Sequence, residues 1–188
     1  PTNMMLFGTP TKLLDGSKTE EDFRMMLEIG YARRCIFGYS GKSRKVTEDS
    51  ALDVYNKMQN STSSVDMDAI AMHLQKLADP INFDLTLQMD KDVSVLVIEY
   101  RLQCEAMAAE LPEYQEVQKA EISHRFFKAL KLAGAYAFYD GATHVSEDHF
   151  MASVKLVEDS GKAFSRILTR DRNYVRLAKY IAEPNMDL

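Results

Sequence analysis

The spacing of apolar positions changes character about forty residues into the chain. Asn3-Met-Met-Leu-Phe7 is a continuous apolar run halted by the turn signal Gly8-Thr9-Pro10, which predicts a short buried strand. Residues 18–28 read as a helix, with Thr19 as the N-cap, acidic residues in the first turn and Gly30 beyond the end. Tyr31-Ala-Arg33-Arg34-Cys-Ile-Phe37-Gly-Tyr39 then reads as a second strand with arginines at its entry. Strand, helix and strand make one α/β crossover unit, too little sheet to stand alone.

After the polar linker at 40–45 the period becomes helical. Helices are predicted over 47–60, 65–78 and 90–110, the last capped by Asp90 and stopped by Pro112. Residues 82–88 alternate apolar and polar, as a short extended segment would. One long helix is expected over 114–139, ending at Asp140-Gly141, another over 147–168 capped by Ser146, and a last one over 171–182 before Pro184. The expected fold is mainly α. A short α/β remnant of a nucleotide-motor core (1–45) precedes a multi-helix lid domain (46–188), which runs toward the start of a winged-helix tail.

The helix around Arg125 carries the most information. Phe126, Phe127, Leu130, Ala133, Ala137 and Phe138 recur at spacings of three and four, so neighbours must cover much of its surface. Arg125 stands at the mouth of that core, one turn beyond Glu121. Such a cation is either paired with a carboxylate or facing an anion. A Glu121–Arg125 pair on an exposed helix contributes only about 0.2–0.5 kcal/mol. Lys128 and Lys131 make the neighbourhood positive within an acidic protein.

Composition narrows the classes. The 188 residues carry a net charge of −5 and are 46% apolar, which fits a folded domain and argues against a free-standing module held to nucleic acid by bulk charge. Cys35 and Cys104 lack metal-ligand spacing and read as reduced thiols of a cytosolic protein. No apolar run reaches membrane-spanning length. The opening Pro-Thr-Asn, which leads at once into a strand-like run, is either a start left by removal of an initiator Met or, as favoured here, the start of a piece of a longer chain.

Other residue groups speak less clearly. Arg33-Arg34 is either an interface fork for phosphate oxygens or a surface pair bridged to Glu20 or Glu28. His124, His144 and His149 have no companions that complete a metal set and read as solvated or capping histidines. Met4, Met5, Met25 and Met26 read as core fillers. Gly41-Lys42-Ser43 looks like the end of a phosphate loop but lacks the earlier glycine, since Ile stands at position 36. There is no Gly-x-Ser-x-Gly run. The segment holding Arg170, Arg172 and Arg176 alternates basic and aromatic residues, either to track a nucleic-acid backbone or as an ordinary solvated helix face.

As an ordered set, these segments resemble the C-terminal part of phage-encoded primase–helicase or polymerase–helicase replication proteins. The resemblance rests on Gly8-Thr9-Pro10, on Gly30-Tyr31-Ala32-Arg33-Arg34, on the run from Ala120 through Arg125 to Phe138, on Val145-Ser-Glu-Asp-His-Phe, on Val157-Glu158-Asp-Ser-Gly161-Lys-Ala-Phe164 and on Tyr174-Val-Arg-Leu-Ala-Lys-Tyr-Ile181. It implies that Thr9 senses a terminal phosphate and that Arg33 or Arg34 is an arginine finger offered to a neighbour's nucleotide. It implies too that Arg125, with Lys128, is the nucleotide-contacting part of a helical lid. ATP and magnesium would be cofactors of the parent protein, DNA a partner through that parent, and a homo-oligomer in the bacterial host cytoplasm its working form.

The chain departs from that pattern at the decisive point. No phosphate loop and no acidic magnesium-binding strand precede Asn3. The resemblance therefore implies a fragment that is inactive alone, binds no cofactor alone, and completes a site whose catalytic half lies elsewhere in the same polypeptide or motor. The competing expectation is a non-catalytic helical interaction module of a replication or transcription complex.

Overall fold

A computed structural model of the chain describes residues 5–9, 13–40, 50–60, 64–169, 177–178 and 181. Within them the protein is mainly helical, as the periodicity predicts. Helix α1 is Lys18–Met26, α2 Ala51–Asn60, α3 Ser64–Leu77, α4 Lys91–Ala109, α5 Glu116–Ser123, α6 Arg125–Tyr139 and α7 Glu147–Leu168. Strands β1 (Gln88–Met89) and β2 (His144–Val145) pair in parallel, Gln88 opposite His144 and Met89 opposite Val145.

The predicted α/β crossover is not formed by the described residues. Residues 5–9 are irregular, and Met5, Leu6 and Phe7 are exposed at 79%, 70% and 90%. An apolar run becomes a buried strand only if another strand takes its backbone groups, and no strand among the described residues pairs with this one. The second predicted strand is also absent. After Met26 the helix widens into a π turn, Leu27–Tyr31, in which Gly30 takes φ +112°. That left-handed conformation is open to glycine and strained for other residues. Residues 35–40 then carry no regular secondary structure, and no described residue pairs with them as a strand. The Phe37 amide instead donates to Ser160 Oγ at 2.8 Å, so this segment is a strap lying on α7.

Several ends differ from expectation for local reasons. Ser17, not Thr19, caps α1, its side chain accepting from the Thr19 amide. The start of α2 is fixed by Ser50 and Asp53, which bond each other reciprocally: Ser50 N to Asp53 Oδ2 at 3.1 Å and Asp53 N to Ser50 Oγ at 3.2 Å. The helix expected over 114–139 is two helices that meet at His124 (φ −101°, ψ 2°). There Ser123 Oγ reaches the Ala120 carbonyl and His124 Nδ1, local bonds that compete with the helical ladder. Of the alternating 82–88 segment, only Gln88 enters a strand, and Phe83 and Leu85 stay exposed. The last predicted helix and the Arg170, Arg172 and Arg176 positions lie outside the described residues, except that 177–178 and 181 are helical.

The main core forms where α6 lies on α7, with α4 closing one side. Ala129, Ala133 and Ala137 recur every fourth residue on α6 and are fully buried. Their small side chains let α6 approach α7 closely, against Phe150 and Val157, with Val93, Tyr100 and Cys104 supplied by α4. A second cluster sits at the far end of α7. Phe164 there packs on Leu27, Ala32 and the half-buried Phe23, Met26, Phe37, Val117 and Leu168, and its ring lies 4.8 Å from that of Phe37. No described helix is long and apolar enough to cross a membrane.

Candidate functional site

Between the two clusters lies the one buried group of charges that the sequence singled out. Glu121 near the end of α5 is fully buried, and Arg125 and Lys128 in the first turn of α6 are 7% and 6% exposed. Helical spacing places all three on one stripe. Arg125 Nε and Nη2 both donate to Glu121 Oε2, at 2.9 and 2.8 Å. Arg125 Nη1 donates to Glu158 Oε2 on α7 at 2.9 Å. Lys128 Nζ donates to the other Glu121 oxygen, Oε1, at 2.6 Å, and reaches the Cys35 carbonyl on the strap at 3.4 Å. Tyr100 Oη of α4 donates to Glu158 Oε1 at 2.7 Å.

This closed network ties α4, α5, α6, α7 and the strap together. Two cations face two carboxylates, and no buried side-chain polar atom among the described residues lacks a partner. Gly161 completes the arrangement. A Cβ on that residue would stand 2.2 Å from Arg125 Nη2 and 2.3 Å from its Cζ, so the guanidinium lies flat in a notch of α7 that only glycine leaves open.

Electrostatics agree with the geometry. Burial disfavours the charge on Arg125, but the hydrogen bonds and charge of Glu121, joined by Glu158, outweigh it and hold its pKa above the ordinary value. Burial, reinforced by the bond to Glu158, drives the Tyr100 hydroxyl far above the usual phenol range. Burial likewise raises both thiols, Cys35 against the opposing effect of Lys128. Neither cysteine is poised as a thiolate nucleophile.

The other predicted residues lie apart from this network. Thr9 is exposed, and its carbonyl accepts from the Leu13 amide at 3.0 Å. Arg34 is exposed one residue before Cys35, its amide bonded to the Tyr31 carbonyl. Arg33 is half-buried and folds over Gly30, where an added Cβ would lie 2.9 Å from Nη2. It lines a cleft of about 200 Å³ with Leu27, Glu28, Gly30, Glu116 and Val117. Among the described residues, no hydrogen bond or ion pair joins the Arg33 or Arg34 side chain to the network. Glu20, an expected partner for the arginines, is bonded instead by Arg24 at 2.9 Å.

A second cleft, about 470 Å³, lies at the C-terminal end of α6, lined by Tyr136, Tyr139, Asp140, Ser146, Asp148, His149 and Ala152. It gathers the residue types of a nucleophilic triad without its connectivity. Ser146 Oγ accepts from the His149 amide at 3.3 Å, while His149 Nδ1 accepts from the Ser146 amide at 3.1 Å and Nε2 faces Asp140 Oδ2 at 3.1 Å. The imidazole thus never meets the serine hydroxyl, and the group is a helix cap. Arg125 and Lys128 line neither cleft. No group of three or more His, Cys, Asp or Glu suited to a metal ion occurs among the described residues.

Sequence reasoning missed Glu158, Tyr100 and Ser160 as partners, because each lies more than twenty residues from the group it bonds. Gly161, a glycine inside a helical pattern, was the one available signal of a close approach. The comparisons add no relative: neither the protein families, the curated proteins nor the solved structures give a match to this chain.

Proposed function

We propose that this chain is a non-catalytic helical interaction module, a scaffold for a larger replication or transcription assembly. The observation that carries the reading is the closure of the Arg125 network. The two cations best placed to receive a phosphate are buried and already bonded to Glu121 and Glu158. Recruiting Arg125 to a nucleotide would break its bonds to the fully buried Glu121 and the half-buried Glu158, leaving them only Lys128 and Tyr100, at a cost of about 3 kcal/mol or more. Apolar side chains meanwhile face outward on α2, α3 and α4, among them Tyr55, Met67, Ile70, Ile98 and Leu102. A helix bundle with uncovered apolar faces is what a module built for contact requires.

The test is a titration with ATP and magnesium followed at the Arg125 Nε–H resonance. The scaffold reading expects that resonance to stay fixed at millimolar nucleotide. A saturable shift there overturns it.

A second reading keeps the chain as the trailing part of a phage-type helicase–primase ATPase. It is favoured by the exposure of Arg34 and the position of Arg33 at a cleft rim, where a neighbouring subunit's nucleotide can reach. In that reading Arg33 or Arg34 supplies the finger to a site whose phosphate loop lies elsewhere, and Arg34→Ala in the parent protein lowers ATP turnover at least tenfold. Unchanged turnover in both Arg33→Ala and Arg34→Ala removes it.

A further inference from the structure

The corner where α6 ends is built around two histidines that no other part of the fold explains. Helix α6 finishes in a Schellman motif: Gly141 takes φ +69°, its amide donates to the Phe138 carbonyl at 3.0 Å, and the Ala142 amide donates to the Ala137 carbonyl at 2.9 Å. That motif leaves the Tyr139 carbonyl over. His73 of α3 takes it, Nε2 lying 2.8 Å from the oxygen, with its ring edge-on to the Tyr139 ring at 4.5 Å. A carbonyl only accepts, so Nε2 carries a proton. One residue further on, Asp140 meets His149 of α7.

His149 occupies the third position of α7, where capping boxes ordinarily carry Glu or Gln. Its Nδ1 must be unprotonated to accept from the Ser146 amide. Nε2 then carries the proton and donates to Asp140. Both histidines are therefore held as the Nε2–H tautomer, and a second proton acts on them in opposite senses. On His149 it destroys the acceptor that caps Ser146 and puts a positive charge at a helix N-terminus, which the helix dipole disfavours. On His73 it strengthens a donor aimed at the carbonyl end of α6, where the dipole favours positive charge.

The groups around the corner are few. Asp140, just past α6, bonds His149, Tyr136 and Tyr139 of α6 line the same cleft, Glu147 and Asp148 flank it on α7, and His144 precedes it on β2. His73 faces Tyr139 of α6, with Asp140 next in the chain and Lys76 one turn along its own helix.

We propose that this corner is a pH-sensitive joint: acidification breaks the imidazole half of the α7 capping box, at the Ser146 amide, while tightening the hold of His73 on α6, so the α6–α7 turn loosens as the α3 arm docks more firmly. Asp140 stays bonded to a protonated His149 after the bond to the Ser146 amide is lost. The corner so shifts its hold from α7 to α3.

The experiment is amide exchange by NMR on the intact chain, corrected for intrinsic rates, across the range of about pH 5 to 8 in which histidines titrate. Ser146 protection is expected to fall by about fivefold on acidification, the usual size of a lost cap, while α3 amides near His73 gain protection. His149→Gln supplies a capping acceptor that does not titrate and should abolish the Ser146 response while leaving that of α3. His73→Gln should do the reverse. Imidazole ¹⁵N shifts should show the Nε2–H tautomer for both rings at the alkaline end. An Nδ1–H tautomer at His149, or a Ser146 response that survives His149→Gln, overturns the proposal.

Discussion

Replacing Gly161 by alanine pits two effects of opposite sign against each other. In a helix interior alanine is favoured over glycine by about 1 kcal/mol, so a reading of α7 as an ordinary helix predicts a more stable protein. The notch predicts the contrary. The added Cβ would stand 2.2 Å from Arg125 Nη2, 2.3 Å from Cζ and 2.8 Å from Nε, whereas carbon contacts settle near about 3.5–4.0 Å. The guanidinium must retreat by more than 1 Å, and its bonds to Glu121 and Glu158, now 2.8–2.9 Å, cannot both survive. Breaking a buried pair costs about 3–5 kcal/mol. The lower end applies here, because Glu158 keeps 31% side-chain exposure and regains water when Arg125 leaves it. With the helical gain subtracted, Gly161→Ala should destabilise by about 2 kcal/mol. Urea unfolding followed by circular dichroism measures this directly. A second arm removes ambiguity: in an Arg125→Ala background the Cβ meets no guanidinium, and Gly161→Ala should stabilise by about 1 kcal/mol. The sign reversal is a coupling of about 3 kcal/mol, at the top of the range for residues in contact. A Gly161→Ala variant more stable than wild type in both backgrounds would refute the notch.

Other expectations follow from the same contacts. Arg125→Ala alone should cost about 3–5 kcal/mol in urea unfolding, since Glu121 remains fully buried beside only Lys128; a variant as stable as wild type would return Arg125 to the role of an uncommitted cation. Phe164→Ala should cost about 3–5 kcal/mol and free the strap, read as faster amide exchange at Phe37; a loss of stability with Phe37 protection unchanged would show that Ser160 alone holds the strap. The Ser50 bonds, side-chain then backbone, hold the Asp53 carboxyl below its ordinary pKa. A carboxylate depressed in the folded state stabilises above its unfolded value and loses that contribution as pH falls through the folded one. The first turn of α2 should therefore fray below about pH 4, seen as loss of amide protection there, and Asp53→Asn should remove the pH dependence.

What the chain's pattern reveals and hides divides by distance along the sequence. Helices α4 and α7 were legible because each has its own period, start and stop, whereas α5 and α6 share one period and read as a single helix. Asp90, Ser146 and Gly141 stand where the pattern put them, although the Asp90 side chain makes no capping hydrogen bond, and Pro112 follows the end of α4. The strands failed because pairing is not a local property. Met5-Leu6-Phe7 is apolar enough for a strand but pairs with no strand among the described residues, while the small sheet that does form joins residues 88–89 to residues 144–145. The break at His124 failed for the opposite reason. It depends on two side-chain bonds, at Ser123 and His124, too local for a periodicity to register.

The meaning of Arg125 turns on the same division. Four residues of sequence supply Glu121, and a Glu–Arg pair at that spacing is ordinarily a surface feature of little energetic weight. Glu158 arrives from 33 residues away, and Gly161 arrives with it because one helical turn of α7 separates the carboxylate from the notch. Together they convert an i,i+4 pair into a buried node whose charges balance. Such nodes are weak contributors to net stability when compared with a well-packed apolar core, yet very costly to break by halves. Their use here is one of register. The guanidinium fits only where α5, α6 and α7 align Glu121, Glu158 and Gly161 at once, and Lys128 extends the same demand to the strap through the Cys35 carbonyl. An arginine so placed fixes how four segments meet. Lifting it toward a phosphate would undo that registration, and this coupling is the reason we propose the scaffold role over the nucleotide-binding one.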